Sequence, residues 1–298
     1  MRLCLWSLTV LSLTIAASSA AIAEDRFEIQ IARDIEFAKV DGHSLKLDLY
    51  QPVGATSPSL VVWIHGGAWR AGSKDSMPLG ELVHRGFAIA SVDYRLSPVA
   101  RFPAQVHDCK AAIRFLRANG KQYGYDALRI GLAGSSAGGH LVAEIGVTNG
   151  HPKLEGAVGE HPDQSSSVQA VVDYYGPTNF LTILKQSTPH GLSVRVPALQ
   201  LLLGSQPDEN MVLAKLASPV FHVDRDDPPL LMIHGDQDPQ VPINQSHELH
   251  GRYKELGLTA DLEVVHGGAH GGPQFYDANR IELVERFFAK HLGNRLAE

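Results

Sequence analysis

The sequence predicts an α/β fold with a mostly parallel central sheet and helices on both faces. Two observations lead to this prediction. Short, continuous apolar runs, such as residues 60–64 and 87–92, have the composition of strands that are buried on both faces. Between such runs stand segments with apolar residues at helical spacing, as in residues 103–118. Strands that alternate with helices in this way are typical of a parallel sheet covered on both sides.

The first residues of the chain form a segment of a different kind. Met1-Arg2 gives a positive start, residues 3–17 are almost wholly apolar, and Ala21-Ile22-Ala23 is a small-residue cleavage motif. The apolar run is shorter than the ~20 residues that a membrane-spanning helix needs. We therefore expect residues 1–23 to be a signal peptide, with no stable membrane anchor, and the product to be secreted or periplasmic.

The rest of the chain, residues 24–298, is predicted to be a single domain, because no linker interrupts the alternation of elements. Residues 34–39 and 45–50 alternate apolar and polar side chains around Asp41-Gly42, which predicts an antiparallel hairpin. The remaining predictions are strands at 129–133, 168–175, 229–234 and 261–265, helices at 137–146, 243–256 and 274–292, and a partial lid or rim formed by 151–167 and 181–220.

Composition restricts the class of protein. The chain has 298 residues, of which 44% are hydrophobic and 19% charged, as in globular proteins. The formal net charge of -6 provides no basic surface, so we expect no nucleic-acid partner. Cys4 belongs to the predicted leader, and Cys109 alone cannot form an internal disulfide. Cys109 falls on an apolar helical stripe, which predicts a buried structural thiol.

The strongest motif is Gly134-Ser135-Ser136-Ala137-Gly138, between a predicted strand and a predicted helix. A nucleophile on such a sharp turn projects from the carboxyl edge of the sheet, and the flanking glycines avoid collisions between strand and helix. Ser136 has glycine two residues before and two residues after it, whereas Ser135 has alanine at both positions. Ser136 is therefore the predicted nucleophile.

A second motif, His65-Gly66-Gly67-Ala68-Trp69, directly follows a buried strand. Backbone N–H groups stabilise a tetrahedral oxyanion when they point inward and no side chain intervenes. We predict that Gly67 and Ala68 form this oxyanion hole, with the amide of Ala137 as a third donor. Trp69 is a candidate substrate-binding residue that could wall the pocket or stack on an aromatic acyl group. The alternative, that Trp69 anchors the loop in the core, stays open.

The base and its orienting acid are expected later in the chain, in the order Ser, Asp, His. His270 follows the last predicted strand, and Asp238 follows the strand before it. Asp236 is the competing acid, and His266 is the alternative base. We expect Asp238 because the segment from Pro239 to Pro242 fixes the turn beyond it.

No cofactor and no metal site are predicted. His247-Glu248-Leu249-His250 has two histidines on a helix, but it lacks the spacing His-Glu-x-x-His that zinc sites use. His140, which follows the nucleophile motif, is predicted to have a packing or hydrogen-bonding role.

Together these motifs resemble the α/β-hydrolase fold and, within it, the hormone-sensitive-lipase-like esterases. The similar stretches are residues 65–69, 93–98, 102–105 and 134–141. The combination is most similar to the branch related to bacterial bifunctional acetylxylan/feruloyl esterases (BD-FAE), from about residue 45 to about residue 292. Ala68 replaces the third glycine of the usual His-Gly-Gly-Gly motif, and no long N-terminal cap precedes the strands. These departures predict an open site for short acyl groups.

The resemblance implies a secreted serine esterase that cleaves acetyl or feruloyl esters through an acyl-enzyme, with a small-molecule or plant-polysaccharide ester as its substrate. The alternatives are a general short-chain carboxylesterase or a formamidase-like hydrolase. A hypothesis of another class is an inactive binding protein with a hydrolase fold. The presence of Ser136, Asp238 and His270 argues against that hypothesis.

Overall fold

The structure is a computed structural model, and it describes residues 26–293. The predicted signal peptide, residues 1–23, lies outside the described residues. The strands are β1 (Ile29–Val40), β2 (His43–Pro52), β3 (Ser59–Ile64), β4 (Ala88–Val92), β5 (Asp126–Ser135), β6 (Ala170–Tyr174), β7 (Leu230–Gly235) and β8 (Ala260–Val265). The α-helices are α1 (Gly80–His84), α2 (Ala104–Tyr123), α3 (Ala137–Gly146), α4 (Ile183–Gln186), α5 (Pro189–Leu203), α6 (Met211–Leu216), α7 (Asn244–Glu255) and α8 (Ala278–Leu292).

These strands form one sheet in the spatial order β1-β2-β4-β3-β5-β6-β7-β8. Strand β2 pairs antiparallel with β1 and β4, whereas the pairs from β4 through β8 are all parallel. The predicted class is therefore confirmed, and the architecture is the α/β-hydrolase fold. In a parallel sheet the carboxyl ends of neighbouring strands lie at one edge, so the loops that follow β3, β5, β7 and β8 meet there.

Two hydrophobic cores lie on opposite faces of the sheet. Successive side chains of a strand point to opposite faces, and β3 supplies both cores in this way. Leu60 and Val62 pack in the core beneath α2, α3 and α7, whereas Val61 and Trp63 pack in the core beneath α1 and α8. Burial of each large apolar side chain contributes about 1.5–3 kcal/mol, so the two cores make the sheet a rigid support for its edge loops.

The predicted N-terminal hairpin is confirmed, with longer strands than the sequence pattern indicated. Val40 pairs with His43, which leaves Asp41 and Gly42 as a two-residue loop. Both loop residues have positive φ, 50° and 81°, as a type I′ turn requires. This turn matches the twist of the two strands and fixes their register.

Helix α2 confirms the predicted helix and extends it to Tyr123, where Gly124 adopts a left-handed conformation with φ 80°. Glycine has no Cβ to strain this conformation, which explains why the helix ends there. Cys109 of α2 is wholly buried, as predicted, and burial raises the pKa of its thiol. The short helix α1 was not predicted, because five residues are too few for a periodic signal.

The predicted lid segment, residues 181–220, contains the three helices α4, α5 and α6. Helix α5 was not predicted, because its apolar residues show no one-sided pattern and Pro197 lies inside it. Local signals were nevertheless present. The Thr188 hydroxyl accepts a hydrogen bond from the Gly191 N–H at 3.0 Å, and Gly204 ends the helix with φ 80°. One face of α5 borders the carboxyl edge of the sheet.

The prediction that residues 151–167 form part of the rim was wrong. This segment follows α3, which runs from the carboxyl edge of the sheet to the opposite edge, and it packs along α2. The Glu155 carboxylate pairs with Lys110 Nζ at 2.9 Å and with Arg114 Nη1 at 3.1 Å. These ion pairs, with cations that are themselves buried, hold the segment on the helix.

Candidate active site

Ser136 lies on a strained turn between β5 and α3. Its φ is 56° and its ψ is -115°, a conformation that non-glycine residues rarely adopt. The Ser136 N–H donates to the Tyr174 carbonyl at 2.8 Å, which ties the turn to the neighbouring strand β6. The side chain emerges at the carboxyl edge of the sheet and remains slightly exposed, at 8%.

The glycines on either side of Ser136 allow α3 to approach β5 and β3 closely. A Cβ at Gly134 would lie 2.5 Å from the Gly138 carbonyl oxygen, and a Cβ at Gly138 would lie 2.0 Å from the Ile64 carbonyl oxygen. Both distances are far below van der Waals contact, and the opposing atoms belong to the backbone. The sequence motif therefore reflects a steric requirement of the turn.

The structure brings the three predicted triad residues together. His270, on the loop after β8, has its Nε2 2.8 Å from Ser136 Oγ. Its Nδ1 lies 2.6 Å from Asp238 Oδ2, on the loop after β7. If Nδ1 carries the ring proton and donates it to the carboxylate, Nε2 is left to accept the serine hydroxyl proton. This geometry meets the requirement for a serine nucleophile with an oriented base.

Asp238 is held in place by its own turn. Its Oδ1 accepts the N–H groups of Gln240 at 2.7 Å and Val241 at 2.9 Å. Burial by itself raises the pKa of Asp238. The hydrogen-bonding groups of His234 and His270, together with these N–H donors, outweigh burial and hold the pKa well below its ordinary value. Asp238 is therefore ionised at neutral pH and can orient His270.

The pKa of His270 is lowered from its ordinary value. Burial is the largest cause, because it disfavours the charged ring, while Asp238 acts in the opposite direction. The positive charge of Arg195 adds to the lowering. The imidazole is therefore neutral at neutral pH, which is the state in which it can accept a proton.

The competing acid and the alternative base pair with each other. Asp236 Oδ2 lies 2.9 Å from His266 Nδ1, and Asp236 Oδ1 accepts the Gly267 N–H at 2.8 Å. Neither of these two side chains is hydrogen-bonded to Ser136 in the described part of the chain. The geometry therefore favours Asp238 and His270 over the two alternatives.

The loop after β3 borders the nucleophile turn closely. A Cβ at Gly66 would lie 2.8 Å from the Ser135 carbonyl oxygen, and one at Gly67 would lie 2.0 Å from the Ala71 carbonyl oxygen. Gly67 and Ala68 both have positive φ and line the same cavity as Ser136. Within residues 26–293 neither of their N–H groups donates to a protein acceptor. These donors are thus available to a bound oxyanion, and Ala137 places a further N–H at the start of α3.

The prediction that Trp69 binds substrate was wrong, and the alternative of a core anchor is what the structure contains. Its side chain is fully buried, at 0% exposure. The indole Nε1–H donates to His140 Nδ1 at 3.1 Å, and the ring packs edge-on against Phe180. Positive φ at Ala68 and Trp69 turns the ring into the core. His140, whose Nε2 lies 2.9 Å from the Ala217 carbonyl oxygen, has the hydrogen-bonding role that we predicted.

The cavity in front of Ser136 has a volume of about 620 Å³. Several lining residues were not predicted from the sequence, among them Tyr175, Arg195 and Gln240. The Tyr175 ring packs edge-on against His270, with ring centres 4.9 Å apart. Tyr175 and Gln240 follow strands at the carboxyl edge, a position that could have suggested them. Arg195 lies on helix α5, which was not predicted, and no sequence motif indicated that this side chain would line the cavity.

Two other features bear on partners. Within residues 26–293, no group of three or more His, Cys, Asp or Glu side chains has an arrangement that could hold a metal ion. None of the helices in that range combines the length and apolar character needed to cross a bilayer.

Comparison with known proteins identifies relatives. The chain is 34% identical to the esterase LipC of Mycobacterium tuberculosis over 72% of its own length and 54% of LipC. A solved truncated carbohydrate esterase from gut microbiota superposes with a TM-score of 0.82 and 35% identity, over 91% of this chain and 99% of the other. A bifunctional GH43-CE protein of Bacteroides eggerthii gives a TM-score of 0.80 and 36% identity, over 88% of this chain and 35% of the other.

The chain spans about half the length of the curated relatives that it matches. A family model described as BD-FAE matches residues 47–253, a range that includes Ser136 and Asp238 and ends before His270. This range is more than half of the sequence, and it agrees with the resemblance that the motifs indicated. The chain therefore belongs to the BD-FAE family.

Proposed function

We propose that this protein is a serine carboxylic-ester hydrolase with Ser136 as nucleophile, His270 as base and Asp238 as orienting acid. The observation that carries the proposal is the hydrogen-bonded chain from Ser136 Oγ through His270 to Asp238, open to a cavity. The similarity to an esterase and to a carbohydrate esterase supports the same activity.

The reaction follows from this arrangement. His270 Nε2 accepts the hydroxyl proton as Ser136 Oγ attacks the ester carbonyl, and Asp238 stabilises the resulting imidazolium. The N–H groups of Gly67, Ala68 and Ala137 stabilise the oxyanion, and one such donor contributes about 10²–10³-fold to turnover. His270 then returns the proton to the leaving alcohol. A water molecule, activated by the same histidine, hydrolyses the acyl-enzyme.

We propose short acyl esters as substrates, acetyl or feruloyl, on plant polysaccharide or its fragments. A relative described as a carbohydrate esterase supports this class, and so does a cavity of about 620 Å³ that is open to solvent. The Ala68 methyl narrows the acyl side of the oxyanion site relative to glycine. The similarity to LipC, described only as an esterase, supports the alternative of a general short-chain carboxylesterase.

A series of p-nitrophenyl esters tests the proposed substrate class. We expect efficient hydrolysis of the acetyl ester, detectable hydrolysis of feruloyl esters, and a steep fall beyond about six acyl carbons, because methylenes that are not buried add no binding energy. A maximum of kcat/KM at ten carbons or longer would contradict the proposal. A comparison of the hydrolysis rates on acetylated xylan and on p-nitrophenyl acetate distinguishes a carbohydrate esterase from a general short-chain carboxylesterase.

A covalent probe tests the nucleophile. A fluorophosphonate should label the wild-type protein on the peptide that contains Ser136, and Ser136→Ala should abolish both labelling and turnover. Ser165→Ala, on the exposed segment that packs along α2, is the matched control and should label normally. Labelling that persists in Ser136→Ala would contradict the assignment.

We also propose that the protein is exported, and only the sequence of residues 1–23 supports this. N-terminal sequencing of the protein released by an expression host tests it. We expect a product that begins at Glu24. An unprocessed N-terminus would contradict the predicted cleavage.

A further inference from the structure

A buried arginine stands at the wall of the proposed active site. Arg195 of α5 lines the cavity, yet its residue exposure is only 1%. Two of its guanidinium nitrogens, Nε and Nη1, are enclosed and have no hydrogen-bond partner in the described part of the chain. The third, Nη2, lies 3.5 Å from Gln240 Oε1, at the outer limit of a hydrogen bond. Arg195 forms no ion pair with a carboxylate of residues 26–293.

Packing of the helix, rather than a counter-ion, fixes Arg195 in this position. The Thr188 hydroxyl donates to the Pro239 carbonyl at 2.7 Å, which ties the start of α5 to the loop that carries Asp238. A Cβ at Gly191 would lie 2.9 Å from the same carbonyl oxygen, so the helix and the loop are in close contact. The guanidinium carbon also lies 6.0 Å from the centre of the Trp69 ring.

Such a charge is costly to bury without a partner, because no anion at ion-pair distance offsets the desolvation penalty. The charge of Asp238, which is not in ion-pair contact, acts against that penalty only in part. Burial lowers the pKa of Arg195 to about 10, so the side chain still carries its charge at neutral pH. Native proteins rarely leave a buried polar group unsatisfied, and an exception calls for an explanation. A ligand that supplies the missing negative charge provides one.

The rest of the cavity has the same sign of charge. Arg70, an exposed residue of the loop after β3, also lines it. No aspartate or glutamate of the described residues lines this cavity. Asp238 lies behind His270, with its carboxylate engaged by that ring and by two N–H groups. The cavity therefore presents positive charge to the entering ester.

We propose that this site selects esters that carry a carboxylate close to the scissile bond, attracted by Arg195 and Arg70. The inference rests on the proposed function. The carboxylate belongs either to the acyl part, as in a hemiester of a dicarboxylic acid, or to the alcohol part, as in an acetylated uronic acid. Both sources share the same recognition chemistry, because a guanidinium forms strong charge-assisted hydrogen bonds with a carboxylate.

Matched pairs of esters test the proposal and distinguish the two sources. The acyl arm compares p-nitrophenyl hemisuccinate with p-nitrophenyl butyrate, which have equal acyl length. The alcohol arm compares an acetylated methyl glucuronoside with the acetylated methyl glucoside. The measured quantity is the ratio of kcat/KM for the anionic ester to that for the neutral ester. We expect a ratio of about ten or more in one arm, as is typical of a hydrogen bond to a charged group.

Variants assign this ratio to the arginines. Arg195→Met should lower the ratio by about tenfold, and Arg195→Lys, which keeps the charge, should lower it less. Arg70→Met should also lower the ratio, by a smaller factor because its exposed charge is screened. The Arg70→Met variant tests the proposal even if Arg195→Met does not fold. Arg225→Met, which removes an exposed charge outside the cavity, is the control and should leave the ratio unchanged.

The outcomes separate this inference from the proposed function. If neutral esters are hydrolysed as fast as the anionic ones in both arms, the inference is overturned and the proposed esterase activity stands. Equal losses for both esters in Arg195→Met, with no effect of Arg70→Met, would make Arg195 a structural residue and overturn it also. No hydrolysis of any ester, with no labelling of Ser136, would overturn the proposed function and this inference with it.

Discussion

The loops after β7 and β8 build two aspartate–histidine pairs of similar geometry and different surroundings. Asp238 Oδ2 lies 2.6 Å from His270 Nδ1, and Asp236 Oδ2 lies 2.9 Å from His266 Nδ1. The first pair is buried and continues to Ser136. In the second pair the His266 side chain is 86% exposed, and its hydrogen bond is to Asp236 rather than to that serine.

The comparison shows that an oriented histidine becomes a candidate base only through its surroundings. The cavity wall shields the ring of His270, and the field of Arg195 lowers its pKa further. An exposed polar pair such as that of Asp236 and His266 is screened by water and contributes little to stability. The two aspartates are two positions apart in the chain and the two histidines are four apart, yet the two pairs have different surroundings and different roles.

Removal of each histidine should give the largest contrast. His270→Ala should reduce kcat by about 10⁴-fold or more, because the nucleophile and its base act as a unit. His266→Ala should remain close to the wild-type rate. Steady-state kinetics with p-nitrophenyl acetate measures both. A comparable loss in His266→Ala would mean that the exposed pair takes part in the reaction.

The two aspartates should differ by a smaller factor. Asp238→Asn should reduce kcat by about 10³–10⁴-fold, because an amide no longer fixes the tautomer or stabilises the imidazolium. Asp236→Asn is the matched control, and its turnover and Tm should change little. A near-normal rate for Asp238→Asn together with a large loss for Asp236→Asn would reassign the acid.

The pH dependence sharpens the electrostatic side of the comparison. His270 must be neutral to act, and its pKa lies below the ordinary 6.5. Activity should therefore rise as pH increases through a region below that value and then reach a plateau. Arg195→Met removes a charge that lowers this pKa, so the acidic limb should move to higher pH. A limb that stays in place would show that Arg195 does not act on His270.

A third histidine gives the smallest expected effect. His140 is buried like His270, but its ring contacts the Trp69 indole rather than a carboxylate, and burial lowers its pKa to about 4. Trp69→Phe leaves the His140 Nδ1 acceptor without its donor, which should reduce the free energy of unfolding by about 1–3 kcal/mol in urea titrations. The ratio of feruloyl to acetyl hydrolysis should not change. A changed ratio of feruloyl to acetyl hydrolysis would indicate that Trp69 contacts the substrate.

Several features followed from local patterns in the sequence. The buried runs and the helical spacing predicted the eight-strand alternation well, because burial on both faces requires continuous apolar residues. The glycines around Ser136 predicted the turn, because only residues without a Cβ allow that approach of β5 and α3. The BD-FAE resemblance was confirmed by the family model that matches residues 47–253. Its motifs could be found in the sequence because they are short and adjacent to these strands.

Only the tertiary structure decided the features that depend on distant contacts. The turn after Asp238 favoured it over Asp236 in the sequence, but only contacts with a loop 30 and 32 residues away in the chain decide which histidine each aspartate meets. The burial of Trp69 depends on His140 and Phe180, and the cavity charge depends on a helix with no periodic pattern. Such contacts join residues far apart in the chain, so no spacing along the sequence records them.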